Sequence, residues 1–347
     1  MKSTHCYSDV LLLPKFSMVE SRKDVRTETY ICEQLLTTPL ISANMDTITE
    51  NVMAKAMHRL GGVGCLHRFM TIEENIKQMK LSEYSKAWVS VGVGKTELER
   101  AEALNPYADV FVLDVAHGAQ IAVVEQVKNL RQIIGYEKKI VVGNFATSKS
   151  IRDFVHHCGK RMMVDAFKVG IGAGSMCSTR IVAGVGAPSL SSILDCVSTG
   201  WDIIADGGVR NSGDFAKALA AGAKAVMVGG VLAGTDETPG EMIEEPITAF
   251  AIKSSHVTKK FKRYRGSASN ESYVAQGKVA AWRTAEGEST LVPAKGPVEH
   301  VVADMLAGLR SSMSYLGAFT LSEYTKNAEF ITISAHGVDE GKPHGKV

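Results

Sequence analysis

Short apolar, β-rich runs alternate with amphipathic segments along most of this chain. The runs fall at 39–43, 62–66, 88–93, 110–115, 140–143, 167–171, 203–205 and 225–228. Between most of them lie stretches with helical periodicity, at 71–79, 96–104, 121–134, 148–157 and 212–221. Alternating β and α units of this length predict a parallel sheet. Eight of them predict an α/β fold closed as a (β/α)8 TIM barrel, with residues 1–347 as one domain, rather than an open doubly wound sheet.

A barrel of this kind carries its chemistry at the C-terminal ends of the strands. Polar residues cluster there: Asn44 and Asp46 after the first run, His67 and Arg68 after the second, Asp114 and His117 after the fourth, Asn144 after the fifth, Asp206 with Gly207 and Gly208 after the seventh. Gly229 and Gly230 close the eighth. Barrels commonly bind phosphate on the loops after strands 7 and 8, where glycines expose backbone N–H groups, and DGG (206–208) and VGG (228–230) stand in those places.

After the sixth run comes VGIGAGSMCSTR (169–180), which sets Cys177 in a glycine-rich loop. Gly170, Gly172 and Gly174 allow close backbone approach to a ligand, Ser175 offers a hydroxyl to a phosphate, and Thr179 lies two residues beyond the thiol. A free cysteine is as readily a small buried hydrophobe, and the local sequence leaves both readings open. The glycines give GxGxG with Ser175 where a third glycine would have to stand, so any nicotinamide cofactor binds without the Rossmann fingerprint.

Composition narrows the class. A formal charge of +2 is too small to indicate nucleic-acid or membrane partners, and the local basic cluster of Lys259, Lys260, Lys262, Arg263 and Arg265 reads as a solvated face that a phosphate could also use. The six cysteines are scattered without a CxxC pair, which indicates neither a zinc site nor a disulfide framework and fits a reducing cytoplasm. MKSTHCYSDV has no apolar signal core, no run approaches the ~20 apolar residues of a membrane span, and the sequon at Asn270 is read as chance.

The motifs YSDVLLLPK (7–15), SANMDT (42–47), LHRFMTIEE (66–74), DVAHG (114–118), KVGIGAGSMCSTR (168–180), IADGGVRNSGDFAKALAAGA (204–223), VMVGGVLAGTDETPGE (226–241) and RYRGSAS (263–269) resemble the inosine monophosphate dehydrogenase and guanosine monophosphate reductase superfamily along nearly the whole chain. The resemblance implies a homotetramer of (β/α)8 barrels, a mobile flap at about 265–295, a flexible tail at about 335–347, and attack of Cys177 on C2 of a purine 5′-monophosphate to form a covalent thio-purine. It implies ribose recognition by Asp206. Phosphate would be held by Ser175, Gly208, Gly229, Gly230 and Tyr264, and the base by Gly266, Ser267, Ser269 and Arg283. The cofactor side would comprise Asp114, Ala116 and His117 with His67 and Arg68, and the carbonyls of Gly172, Gly174 and Cys177 would hold a potassium ion. The dehydrogenases usually carry CBS modules after the second strand, whereas here MTIEENIKQMKLSEYSKAWVSVGVG runs straight from helix to third strand.

The two activities differ in what leaves C2. Dehydrogenation to XMP needs an activated water, supplied in the family by an Arg-Tyr pair on the flap. The reductase must protonate a departing amine. Residues 270–297 contain no Arg-Tyr dipeptide, and WRTAEG (282–287) is similar to the reductase stretch, which implies a Thr179–Glu286 proton relay. ANMDT is the reductase form as well, while ADGGVRNSGD, LAGTDETPGE and the tail AHGVDEGKPHG read more like the dehydrogenase. The expectation is therefore NADPH-dependent reduction of GMP to IMP. A dehydrogenase without CBS modules is the alternative, and a non-catalytic purine-nucleotide-binding barrel the second. Ala173 in place of the usual proline, Ser178 in place of threonine, and Ser267-Ala268-Ser269 where methionine commonly leads depart from the family pattern, the last of them near the base.

Overall fold

A computed structural model describes residues 4–82, 88–159, 161–246, 258–275, 277 and 284–342. Eight parallel strands close into a barrel: β1 (Leu40–Ser42), β2 (Val63–Leu66), β3 (Trp88–Val91), β4 (Val110–Asp114), β5 (Lys139–Phe145), β6 (Ala166–Val169), β7 (Asp202–Asp206) and β8 (Ala225–Val228). β8 pairs with β1, Val226 opposite Leu40 and Val228 opposite Ser42, which completes the ring. The eight apolar runs are these eight strands, displaced at their ends by about two residues at most. β1, β2, β3, β6 and β8 are buried at every position, because the barrel interior lies on one face and helices cover the other.

The strands are followed by α1 (Asn51–Arg59), α2 (Ile72–Leu81), α3 (Lys95–Leu104), α4 (Ile121–Ile134), α5 (Ser148–Cys158), α6 (Ser189–Val197), α7 (Ser212–Ala220) and, after an excursion, α8 (Val298–Tyr315), which packs on α7. Side-chain caps fix where several of these start. Thr71 accepts from the Glu74 N–H, Thr147 from Ser150 and Asn211 from Asp214, so the loops preceding α2, α5 and α7 have defined ends. Only residues 82–87 join α2 to β3, a connection too short for an inserted domain.

Two features were not foreseen from periodicity. A hairpin, Thr29–Ile31 with Gln34–Leu36, turns through Cys32 and Glu33 at φ 50° and 59° and lies at the N-terminal end of the barrel, where Trp88 Nε1 donates to Gln34 Oε1 at 3.0 Å. After β8 the chain forms a three-stranded antiparallel sheet, β9 (Ile243–Pro246), β10 (Thr258–Arg265) and β11 (Ser289–Pro293), with β10 in the middle. β10 contains the basic cluster. It is not uniformly a solvated face: Lys262 turns inward and donates to the Asp236 and Thr238 carbonyls at 3.0 and 2.7 Å, because period-2 alternation puts it on the same side as buried Tyr264. Among the described residues no helix is long and apolar enough to cross a membrane.

Candidate active site

At the end of β6 the chain enters the glycine loop against the end of β7. A side chain at Gly170 (φ 154°) would run into the Asp206 carbonyl, and one at Gly207 into the backbone of 173–174, so the loop can lie flat on the DGG turn only with glycine at both places. Cys177 stands on this loop and is the exposed cysteine, the others being buried or partly buried. Its Sγ is 3.1 Å from Thr179 Oγ1, placing a hydroxyl donor beside the sulfur. That geometry favours a reactive thiol over a packing role.

The loop is also held from outside. Residues 286–288 lie between the cysteine loop and residues 266–269: Ser178 N donates to Glu286 O at 2.9 Å, Glu288 N to Met176 O at 2.9 Å, Glu286 N to Ala268 O at 3.0 Å and Gly266 N to Glu288 O at 2.9 Å. Glu286, remote from Cys177 in sequence, is thus fixed at the backbone beside Ser178, one residue from Thr179. Of the residues expected at the base, Gly266 packs on the Met176 carbonyl, Ser267 is half-buried, and Ser269 is buried with its Oγ accepting from Ser272 N at 3.2 Å. Arg283 lies outside the described residues. Arg265 anchors this limb to the loop after β1: its guanidinium donates to both oxygens of Asp46, at distances down to 2.6 Å, and its backbone N–H donates to Thr47 Oγ1 at 3.2 Å.

Four of the expected phosphate ligands converge. Ser175 Oγ and Tyr264 Oη are 3.0 Å apart, and a Cβ at Gly230 would lie 2.7 Å from the first and 3.5 Å from the second. A Cβ at Gly229 would meet Tyr264 Oη at 3.2 Å and Met45 Sδ at 3.0 Å. Burial raises the Tyr264 phenol above its ordinary range, against the opposing hydrogen bond with Ser175, so it is a neutral O–H at physiological pH. Gly208 sits against Ser189 and Tyr7.

The charged centre of the barrel mouth contains a residue that sequence reading did not single out. Lys168, 2% exposed, directs its ammonium at Asp206 Oδ2 (2.5 Å), Asp114 Oδ1 (2.8 Å) and Asn144 Oδ1. Asn144 Nδ2 in turn donates to Asp206 Oδ2 at 2.9 Å and to the Gly170 carbonyl at 2.6 Å, and Asn44 hydrogen-bonds Asp114. Burial opposes charge on Lys168, yet the two carboxylates hold it well above the usual lysine range. Burial likewise opposes ionisation of Asp114, and the adjacent ammonium more than offsets it, so that carboxyl titrates below its ordinary value. A charged side chain inside an apolar strand was the available signal, since lysine is almost never fully buried without partners.

Beyond Asp114, Ala116 and His117 are exposed, and His117 lines a cavity of about 300 Å³ with Gln120, Ile121, Asp153, Phe154 and His157. Arg68 pairs with Glu97 at 3.7 Å and stacks on Phe69. His67 differs from expectation. It is 2% exposed, with Nε2 3.4 Å from Glu50 and Nδ1 accepting from Phe69 N, so both ring nitrogens are engaged inside the protein and the ring supports the loop instead of facing a ligand. Of the three carbonyls expected at a potassium ion, those of Gly172, Gly174 and Cys177, that of Gly174 already accepts from Cys177 N at 3.0 Å, and three oxygens fall short of the ~6 such ions usually take.

A family model described as IMP dehydrogenase / GMP reductase domain matches residues 4–344. An inosine-5′-monophosphate dehydrogenase of Cryptosporidium parvum is 33% identical over 397 residues, covering 97% of this chain and 94% of its own length. A GMP reductase of Klebsiella pneumoniae is 35% identical over 343 residues, covering 94% of each. Among solved structures, inosine 5′-monophosphate dehydrogenase from Legionella pneumophila superposes with a TM-score of 0.84 at 43% identity, over 96% of this chain and 100% of that one. GMP reductase from Trypanosoma brucei in complex with guanosine 5′-monophosphate superposes with a TM-score of 0.86 at 26% identity, over 100% and 99%.

Proposed function

The chain belongs to the IMP dehydrogenase / GMP reductase family, an oxidoreductase superfamily, and from that premise we propose that it is a cytoplasmic, homotetrameric GMP reductase that converts GMP and NADPH to IMP, NADP and ammonia. The observation that supports this reading is the backbone pinning of Glu286 beside Ser178, which brings the WRTAEG glutamate to the cysteine loop, one residue from Thr179, whose Oγ1 is 3.1 Å from the thiol.

In this reading the Cys177 thiolate adds to C2 of the purine. The C2–N bond breaks as Thr179 and Glu286 deliver a proton to the leaving amine, which departs as ammonia. When bound, the reduced nicotinamide would supply the hydride that C2 accepts as the C2–S bond breaks to return the Cys177 thiolate. Asp206 accepts from the ribose hydroxyls through the oxygen not bonded to Lys168 and Asn144. Ser175, Tyr264 and the glycine N–H groups hold the phosphate. Gly266, Ser267 and Ser269 would contact the base, on a flap at about 265–295, and Arg283, outside the described residues, is assigned to the base by the resemblance alone. Asp114, Ala116, His117 and Arg68 flank the dinucleotide. A potassium ion on the three loop carbonyls would stiffen the loop, its shell completed by groups beyond this set.

The dehydrogenase is the second reading, favoured by the higher overall identity to the Legionella enzyme. Absorbance at 340 nm separates the two. Loss of signal with GMP plus NADPH, with stoichiometric ammonia, supports the reductase. A gain with IMP, NAD and potassium, with no loss in the first assay, would replace it by the dehydrogenase. Tight nucleotide binding with neither change would leave a silent nucleotide-binding barrel.

A further inference from the structure

Lys168 has no role in the chemistry above, yet its side chain is buried at the barrel mouth among polar partners. An ammonium has three donors. Here they meet Asp206, Asp114 and Asn144, so none is left for a ligand. Its contact with Asp206 is to Oδ2, the same oxygen that takes the Asn144 amide, and no hydrogen bond among the described residues ends on Oδ1. The side chains of Asp114 and Asp206 each keep 20% of their surface exposed, against 3% for Lys168. The lysine therefore lies beneath two carboxylates that face outward.

We propose that Lys168 is the positioning residue for ribose recognition: with Asn144 it saturates Asp206 Oδ2 and thereby fixes Oδ1 toward a vicinal diol, while Asp114 and Asn144 hold the ammonium in place. The proposal rests on the reading of Asp206 as the ribose-binding carboxylate. A carboxylate free to rotate can satisfy itself on one hydroxyl or on water, whereas one locked by two donors on a single oxygen presents the other in one orientation. Lys168 thus sets selectivity for ribose over 2′-deoxyribose without touching the nucleotide.

The test is equilibrium titration of inosine 5′-monophosphate and its 2′-deoxy analogue without dinucleotide, so that nothing turns over. Wild-type protein is expected to favour the ribonucleotide by the order of 10- to 100-fold, the worth of one hydrogen bond to a charged group. Lys168→Met should collapse that ratio toward unity, chiefly by weakening the ribonucleotide, and Lys168→Arg should restore much of it. A merely structural role would weaken both nucleotides alike and leave the ratio unchanged. Asn144→Ala, which keeps both carboxylates paired with the lysine, should lower the ratio as well and serves if Lys168→Met does not fold. A wild-type ratio retained in the folded variants overturns the proposal, as does a wild-type protein that binds both nucleotides equally. Failure of wild type to bind either nucleotide would instead remove the functional reading on which the proposal stands.

Discussion

Replacing Lys168 by Met also tests the electrostatics of the barrel mouth independently of any activity. In the native protein one ammonium lies 2.8 Å from Asp114 and 2.5 Å from Asp206. Without it, two partly buried carboxylates face each other, no farther apart than those two contacts allow. Removing one partner from a buried ion pair costs about 3–5 kcal/mol. For a chain of this length that corresponds to roughly 5 °C in Tm. The pH dependence carries the sign. In wild type the Asp114 carboxyl is held below its ordinary value, so its stabilisation is complete above the unfolded pKa of ~3.9 and fades only as pH falls through the lower folded value. In the variant, mutual repulsion and burial raise the folded carboxyl pKa, so the destabilisation is greatest at neutral pH and relaxes as one carboxyl takes a proton. Thermal melts of both proteins at pH 7.5 and pH 5 should therefore show the Tm difference narrowing on acidification. A difference that is constant or wider at pH 5 would refute the account of Lys168 as counter-ion.

Further outcomes follow from the site. Cys177→Ala should abolish turnover while leaving nucleotide binding measurable by titration, and near-wild-type rates at 340 nm would sink the covalent mechanism. Iodoacetamide followed by peptide mass mapping should label Cys177 first, because the other cysteines are buried or partly buried; slower labelling there than at Cys65 or Cys196 would contradict the exposed-thiol geometry. Glu286→Gln should slow turnover by ~10²–10⁴-fold with little change in KM, the range for lost general acid assistance, and an unchanged kcat would remove the proton relay. In Gly230→Ala the new methyl lies 2.7 Å from Ser175 Oγ and must push it from Tyr264, so nucleotide KM should rise by the order of 10-fold, with Tm nearly unchanged because Ser175 is exposed and can rotate. A KM equal to wild type would separate Ser175 from phosphate binding.

The sequence by itself determined the barrel and, to within about two residues, the ends of its strands. Each of β1 to β8 is built on a short apolar run, and burial on both faces forces that pattern on local sequence. It also placed Cys177 and Thr179 together, since a two-residue spacing in a tight loop leaves little freedom. Other features are products of closure. Lys168 is an unremarkable lysine until β4, β6 and β7 bring Asp114 and Asp206 to it, and no local periodicity encodes contacts between residues so far apart in the chain. His67 looks like a ligand-facing residue at the end of a strand, and only the approach of Glu50 and Phe69 occupies both its nitrogens. The sheet of β9, β10 and β11 escaped because its central strand is charged: in TKKFKRYR the two aromatic residues, Phe261 and Tyr264, fall on opposite faces, and Lys262 stands where an apolar residue would have announced the inward face. Its ammonium is satisfied by carbonyls of residues 236 and 238, partners that exist only once the chain has folded back over the barrel mouth.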